Sequence, residues 1–232
     1  MEKALASKPQ GIESKPASRT SSVTRIRIME VAERHFAQYG IDGASLRQIS
    51  ADAEQRNVNS VQYHFGDRIG LLDELFKYRE AQLDAMRRKL LATGRNQDRL
   101  DDVKWLLRVC FEPNFRHFSE RDGIDYLVVH SHYLTNIRPL GVPHPVDYEC
   151  PSTKHFREAI ARLRERLAFI SGGEFDMRLE SVGSMFLGAV IQHAHRPPER
   201  MAEHHLMFET LLDMMTAAIS IPPWPITPPP AR

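Results

Sequence analysis

The sequence predicts an all-α chain. Helix-forming residues dominate, β-branched runs are scarce, and apolar residues return at i, i+3, i+4 and i+7 over most of the length. Glycine and proline clusters cut that pattern into about nine segments of helical length. The 232 residues have room for one large domain or two small ones. No stretch approaches roughly 18 uninterrupted apolar residues, so no spanning helix is expected. The net charge of +1 announces no polyanionic partner by itself.

Residues 1–21 are polar, with Pro9, Pro16 and many serines, and read as a flexible arm. Lys15 and Arg19 leave open a basic arm that touches a minor groove. Lys3, Lys8 and Lys15 with no apolar core make no secretory signal. Cys110 and Cys150 form no metal motif and suit a reducing cytosol as free thiols, so a cytoplasmic location is expected.

The first helix is expected over 22–39, with Ile28, Val31, Ala32, Phe36 and Tyr39 as its buried stripe. Gly40 ends it where a left-handed backbone is needed. Ser45 and Gln48 then make a capping box for a second helix, which buries Leu46, Ile49 and Ala53 and stops near Glu54. Asn57 or Asn59 caps a short third helix ending near Phe65. Val58, Val61 and Phe65 share one face of it; Asn59, Ser60, Tyr63 and His64 fall mostly on the other, with Gln62 at the boundary.

Amides, a hydroxyl, a phenol and an imidazole suit hydrogen bonding to base edges and phosphates better than they suit a plain solvated face. Two helices joined by a tight turn, the second with such a face, describe a helix-turn-helix. An ordinary helical hairpin has the same pattern. Arg25, Arg47, Arg56 and Arg68 lie at helix starts or in the turn, while Glu30, Glu33, Asp73 and Glu74 lie further along the first and fourth helices.

The run Ile28 to Phe36, then Gly40, then Ser45-Leu46-Arg47-Gln48-Ile49, then Tyr63-His64-Phe65-Gly66-Asp67-Arg68 and Leu71-Leu72, resembles the N-terminal domain of TetR-family transcriptional regulators. The resemblance covers about residues 22–76. Glu54 stands where that family usually has glycine, the turn is one residue longer, Gln62 replaces a frequent tyrosine, and Arg68 replaces a lysine. The resemblance implies a DNA-binding domain at 22–76, with its motif at about 45–65, and an effector-binding and dimerisation domain at 77–220. A proline-rich tail follows at 221–232. It also implies a homodimeric, ligand-responsive regulator, a repressor released from double-stranded operator DNA by a small apolar molecule, with no catalysis and no cofactor. The DNA-facing set is then Arg25, Ser45, Arg47, Arg56, Asn57, Asn59, Ser60, Gln62, Tyr63, His64 and Arg68, with Arg68 serving a phosphate.

Asp67 caps a long fourth helix expected to reach about residue 91, before Gly94-Arg95-Asn96 breaks the chain. Further helices are expected at 98–111, interrupted by Pro113, and at 124–134. A proline-rich loop at 136–152 precedes helices at 153–170, ended by Gly172-Gly173, then at 176–195 and 199–219. Small residues Ser181, Ser184 and Gly188 let the last two helices approach a second copy in a four-helix bundle; burial within their own domain is the alternative. Trp105, Phe111, Phe115, His130, Tyr133, Phe186 and His193 are the candidate effector contacts, although aromatics at helical spacing also build plain cores.

His130/His132 and His193/His195 sit two apart on helices and His204-His205 diverge, so no metal site is expected. No phosphate loop and no nucleophile elbow is present. A helical small-molecule carrier or enzyme with no DNA role, or an adaptor for protein partners, are the rival readings.

Overall fold

The computed structural model describes residues 19–55, 57, 59–121, 123–196 and 204–223, and no strand occurs among them. Nine α-helices follow one another in the described residues: α1 Arg19–Tyr39, α2 Leu46–Asp52, α3 Ser60–Phe65, α4 Arg68–Asn96, α5 Val103–Arg121, α6 Ile124–His132, α7 Lys154–Arg166, α8 Gly172–Ala194 and α9 His204–Ser220. The predicted arm lies outside the described residues up to 18, and its last residues already belong to α1. Arg56, Val58, residues 197–203 and the tail from 224 also lie outside them.

Helices α1 to α3 and the first turns of α4 close one core. Ile28, Val31, Ala32 and Phe36 from α1 meet Ile49, Val61, Phe65, Leu71 and Leu72, all buried. Gly40 follows α1 at φ +77°, the left-handed conformation its position called for. Tyr39, expected in the stripe, is exposed.

α4 leaves this core and runs through the rest of the molecule, packed by α5 and α7. Its 29 residues span roughly 44 Å at 1.5 Å each. The break expected at Gly94-Arg95-Asn96 falls at its last residue, Asn96, five residues beyond the expected helix end at 91. Gly94 is inside α4 because Trp105 packs on it: a Cβ there would stand 2.3 Å from Trp105 Nε1. Close approach, not chain reversal, selects glycine at this position. The chain turns four residues later at Asp98, φ +55°.

α5 is continuous through Pro113, where an interruption was expected. Proline donates no N–H, so the Val109 carbonyl loses its helical partner. Packing of α5 against α7 and α9 buries this stretch and outweighs the lost bond. Gly172 and Gly173 open α8 rather than merely ending α7, with Ser171 Oγ accepting from the Glu174 N–H at 3.3 Å. The loop predicted at 136–152 is largely ordered into a π-helical turn, Tyr133–Ile137, and three 3₁₀ turns, Arg138–Leu140, Pro145–Asp147 and Pro151–Thr153.

One face of α4 carries charge into the interior. Phe76, Glu80, Asp84 and Arg87 are all buried at helical spacing. Asp84 accepts from the backbone N–H groups of His155 and Phe156 at 3.0 and 3.2 Å, capping α7 from a neighbouring helix. Glu80 accepts from Arg87 Nη1 at 2.5 Å and from the Tyr126 hydroxyl at 2.8 Å. No helix among the described residues is long and apolar enough to cross a membrane.

Candidate functional site

The turn between α2 and α3 is built as its sequence implies, with one exception. Ser45 Oγ accepts from the Gln48 N–H at 3.3 Å, closing half of the capping box. The reciprocal half is missing, because Gln48 Nε2 donates to Asp52 Oδ1 at 2.7 Å. Asp52 also meets His35 at 2.8 Å, so Gln48 and Asp52 tie α2 to α1. Glu54 takes φ +58° in the turn, the conformation in which glycine is least strained, and Arg27 pairs with it at 3.2 Å. Asn57 Oδ1 accepts from the Asn59 N–H at 2.9 Å, turning the chain into α3, while Asn59 itself makes no side-chain cap.

α3 presents Asn59, Gln62 and Tyr63 outward; Tyr63 is 82% exposed, unusual for so large a ring. Arg47 on the first turn of α2, Ser45 and Asn57 are also exposed. His64 is half-buried, its ring edge-on to Tyr63 at 4.9 Å. Burial, then the charge of Arg25, holds its imidazole below the usual range and therefore neutral at pH 7.

Three of the predicted DNA contacts sit elsewhere. Ser60 is buried, bonded to Ser50 Oγ at 3.1 Å between α2 and α3. The i, i+10 hydroxyl pair fixes the crossing of the two helices, and a serine has no apolar character by which its burial could be read in advance. Arg68 turns inward and donates to the carbonyls of Ile41 and Ala44 at 2.6 and 2.5 Å. Arg25 donates to the His64 carbonyl at 2.5 Å, pairs with Glu74 and lies 4.7 Å over the Phe65 ring. These two guanidiniums hold the loop before α2 and the end of α3, where backbone carbonyls left by short helices need donors. Arg56 lies outside the described residues, so Arg47 is the one predicted DNA cation that the described residues leave exposed.

The C-terminal helices line a half-open cavity of about 110 Å³ between α4, α5, α6, α7 and α8. Phe111, Phe156, Ile160, Leu179, Phe186 and Leu187 supply apolar wall. Four of the predicted effector contacts, Phe111, His130, Tyr133 and Phe186, line it. The other three do not. Trp105 covers Gly94, Phe115 stacks on Phe208 at 4.7 Å, and His193 lies edge-on to His204 at 5.2 Å.

Sequence reasoning missed the polar lining: Glu80, Asn114, Arg138 and His144. A signal existed on α4, where Glu80 and Arg87 occupy positions that continue the stripe of Phe76. His144 and Arg138 come from the segment read as loop, and no periodicity marks them. His130 and His144 stack at 5.0 Å. Burial, opposed by Glu80, drives their imidazoles down to about 3 and about 4, so both are neutral at pH 7.

A chain of contacts joins this cavity to α3. The segment carrying His144 ends at Tyr148, whose hydroxyl donates to Asp73 on α4 at 2.7 Å. Lys77 bridges Asp73 and Glu74 at 2.7 and 3.1 Å. Glu74 holds Arg25, and Arg25 holds the carbonyl of His64.

No family model and no curated protein matches the sequence. Among solved structures, the chain is similar to a TetR-family regulator from Streptomyces coelicolor A3, at 18% identity over 90% of this chain and 99% of that one, TM-score 0.44. It is similar to an alanine-substituted HlyIIR mutant protein at 14% identity over 89% and 100%, TM-score 0.45. It is also similar to a protein assigned to the TetR family from Mesorhizobium loti MAFF303099, at 14% identity over 87% and 96%, TM-score 0.44.

Proposed function

We propose that this chain is a TetR-type transcriptional regulator: a homodimer that binds operator DNA through α3 and is released by a small molecule held between α4 and α8. The observation that carries this reading is the outer face of α3. Asn59, Gln62 and Tyr63 project from a short helix whose end is fixed by Arg25 and whose supporting loop is fixed by Arg68. A rigid helix with exposed amide and phenol groups meets the geometric demand of base readout in a major groove. The weak net charge is consistent with few phosphate contacts, of which Arg47 supplies one.

Pairing of two copies through α8 and α9 is supported by their outward apolar residues. Met177, Leu206 and Met214 are exposed in the single chain, beside exposed Ser181 and Ser184. Such a face is covered when two helices from each copy form a bundle. The contact chain from His144 through Tyr148, Asp73, Glu74 and Arg25 to α3 gives a ligand in the cavity a mechanical route to the DNA face.

Fluorescence anisotropy with duplexes from upstream of the gene tests the reading. Affinity is expected to fall with salt, and Asn59→Ala or Tyr63→Ala to change preference among operator variants by about 1–3 kcal/mol. Arg68→Ala is expected to lower the melting temperature, since its donors serve two backbone carbonyls. A helical carrier, the rival that the cavity favours, shows no salt-dependent DNA binding at all. Tyr148→Phe is expected to bind operator as tightly as the parent but to respond less to any small molecule that releases the parent. A response kept in full removes the proposed route. Coupling of about 1–3 kcal/mol in the parent corresponds to a 5–150-fold loss of DNA affinity.

A further inference from the structure

The cavity carries chemical instructions beyond its apolar walls, and naming its occupant rests on the ligand-responsive reading above. Two nine-tenths-buried side chains line it with polar atoms that have no protein partner. Asn114 is 7% exposed and its Oδ1 accepts nothing. His144 is 2% exposed and its Nε2 is equally unpartnered. The state of His144 follows from its other nitrogen: Nδ1 accepts from the Val146 N–H at 3.2 Å. A neutral imidazole with Nδ1 as acceptor carries its proton on Nε2. The cavity therefore offers one buried donor, His144 Nε2–H, and one buried acceptor, Asn114 Oδ1.

Tyr133, Arg138 and Glu80 are already satisfied, whereas among the described residues His130 makes ring contacts only and stacks on His144. The Tyr133 hydroxyl donates to the Val142 carbonyl at 2.8 Å and accepts from Arg138 at 3.3 Å. Arg138 is neutralised by Asp147 at 2.9 Å and by Glu180 at 3.0 Å. Glu80 is matched by Arg87. No lining cation is left over for an anionic ligand; the one surplus carboxylate, Glu180, is exposed to solvent, and a bare charge in the buried part of the cavity is costly.

We infer that the cavity binds a small neutral alcohol or phenol, its ring or chain against Phe111, Phe156 and Phe186 and its hydroxyl serving the unpartnered atoms of His144 and Asn114. A hydroxyl is the smallest group that both donates and accepts. The volume of about 110 Å³ sets the size. An apolar cavity of about 150 Å³ holds benzene, so the part of the ligand held inside is no larger than a single ring or its aliphatic equivalent. The Arg138–Glu180 pair stands at the end where Glu180 is exposed, and a larger ligand extends past it toward solvent.

Calorimetry on the full chain without DNA, with phenol, cyclohexanol, anisole, toluene and benzoate as probes, tests this. Phenol or cyclohexanol is expected to bind roughly 10-fold or more tightly than toluene, because toluene leaves both buried groups unpaired. Anisole, which only accepts, is expected in between, and benzoate on the order of 100-fold weaker than phenol. Asn114→Leu is expected to fold, since leucine has a similar size, and to narrow the phenol-to-toluene ratio toward one. Toluene or benzoate binding as well as phenol overturns the inference. So does a phenol preference that Asn114→Leu leaves intact, or no probe binding at millimolar concentration. Because DNA is absent, binding of phenol by a protein that ignores operator DNA would uphold the ligand class while the regulator reading fails.

Discussion

Replacing Arg87 with methionine is expected to lower the stability of the fold by about 3–5 kcal/mol. Arg87 and Glu80 are both fully buried two turns apart on α4, and Arg87 also lies 4.3 Å over the Phe156 ring. Burial works against the Glu80 charge. The Arg87 guanidinium outweighs it, helped by the Tyr126 hydroxyl, and holds the carboxyl below its ordinary range. Without Arg87 the carboxylate is a buried charge with one hydroxyl donor left. It then takes up a proton more readily than in the unfolded chain, so the loss grows as pH rises above the normal carboxylate range. The double variant Glu80→Gln, Arg87→Met is expected to recover most of the loss, since removing both partners removes the uncompensated charge. Urea unfolding at pH 7 measures all three chains. A single-variant cost below about 1 kcal/mol shows that Glu80 is not held as a buried anion.

Acid is expected to weaken the fold well before ordinary carboxylates titrate. His130 and His144 are held down to about 3 and about 4 by burial, against 6.5 for a free imidazole. The groups facing them are Glu80 and Asp147, which favour the charged form, and Arg87 and Arg138, which oppose it. The unfolded chain therefore takes up protons first as pH falls. Stability from these two groups is fully present above about 6.5 and declines by about 1.4 kcal/mol per pH unit for each imidazole, until the folded values are reached. Glu33 and Asp125, raised mainly by burial, act in the opposite sense. The informative quantity is thus a difference: His144→Asn, which keeps an acceptor for the Val146 N–H, is expected to flatten the pH 6.5–4.5 decline by about one imidazole's share. An identical decline in both chains shows that His144 is not buried neutral.

Period and punctuation made most of the architecture legible. The stripes of α1 and α2, the Ser45 cap and the Gly40 stop are local, and each works through residues within a few positions of one another. The same holds for Asn59 and Tyr63, whose outward placement follows from Val61 and Phe65 being buried; Ser60, placed outward, is buried, and Gln62, placed at the boundary, is exposed. At Gly94 and Pro113, neighbours from other helices decide whether the residue breaks a helix. Gly94 and Pro113 both lie inside helices for that reason.

What the sequence by itself determined is an all-helical chain with a tight turn before a short polar-faced helix and a C-terminal half rich in buried aromatics. Only the tertiary structure decided which charges face solvent. Arg25 looked like a DNA contact and Arg68 like a ligand for phosphate, and instead they serve the carbonyls of His64, Ile41 and Ala44. Glu80 and Arg87, charged residues on a long helix, pair in the interior. Arg138 and His144 became cavity residues through turns that bring residues 138–148 back onto α4. The reason is physical: a charge is buried only when a distant partner meets it in low dielectric, and that partner is set by how helices cross rather than by spacing along one of them.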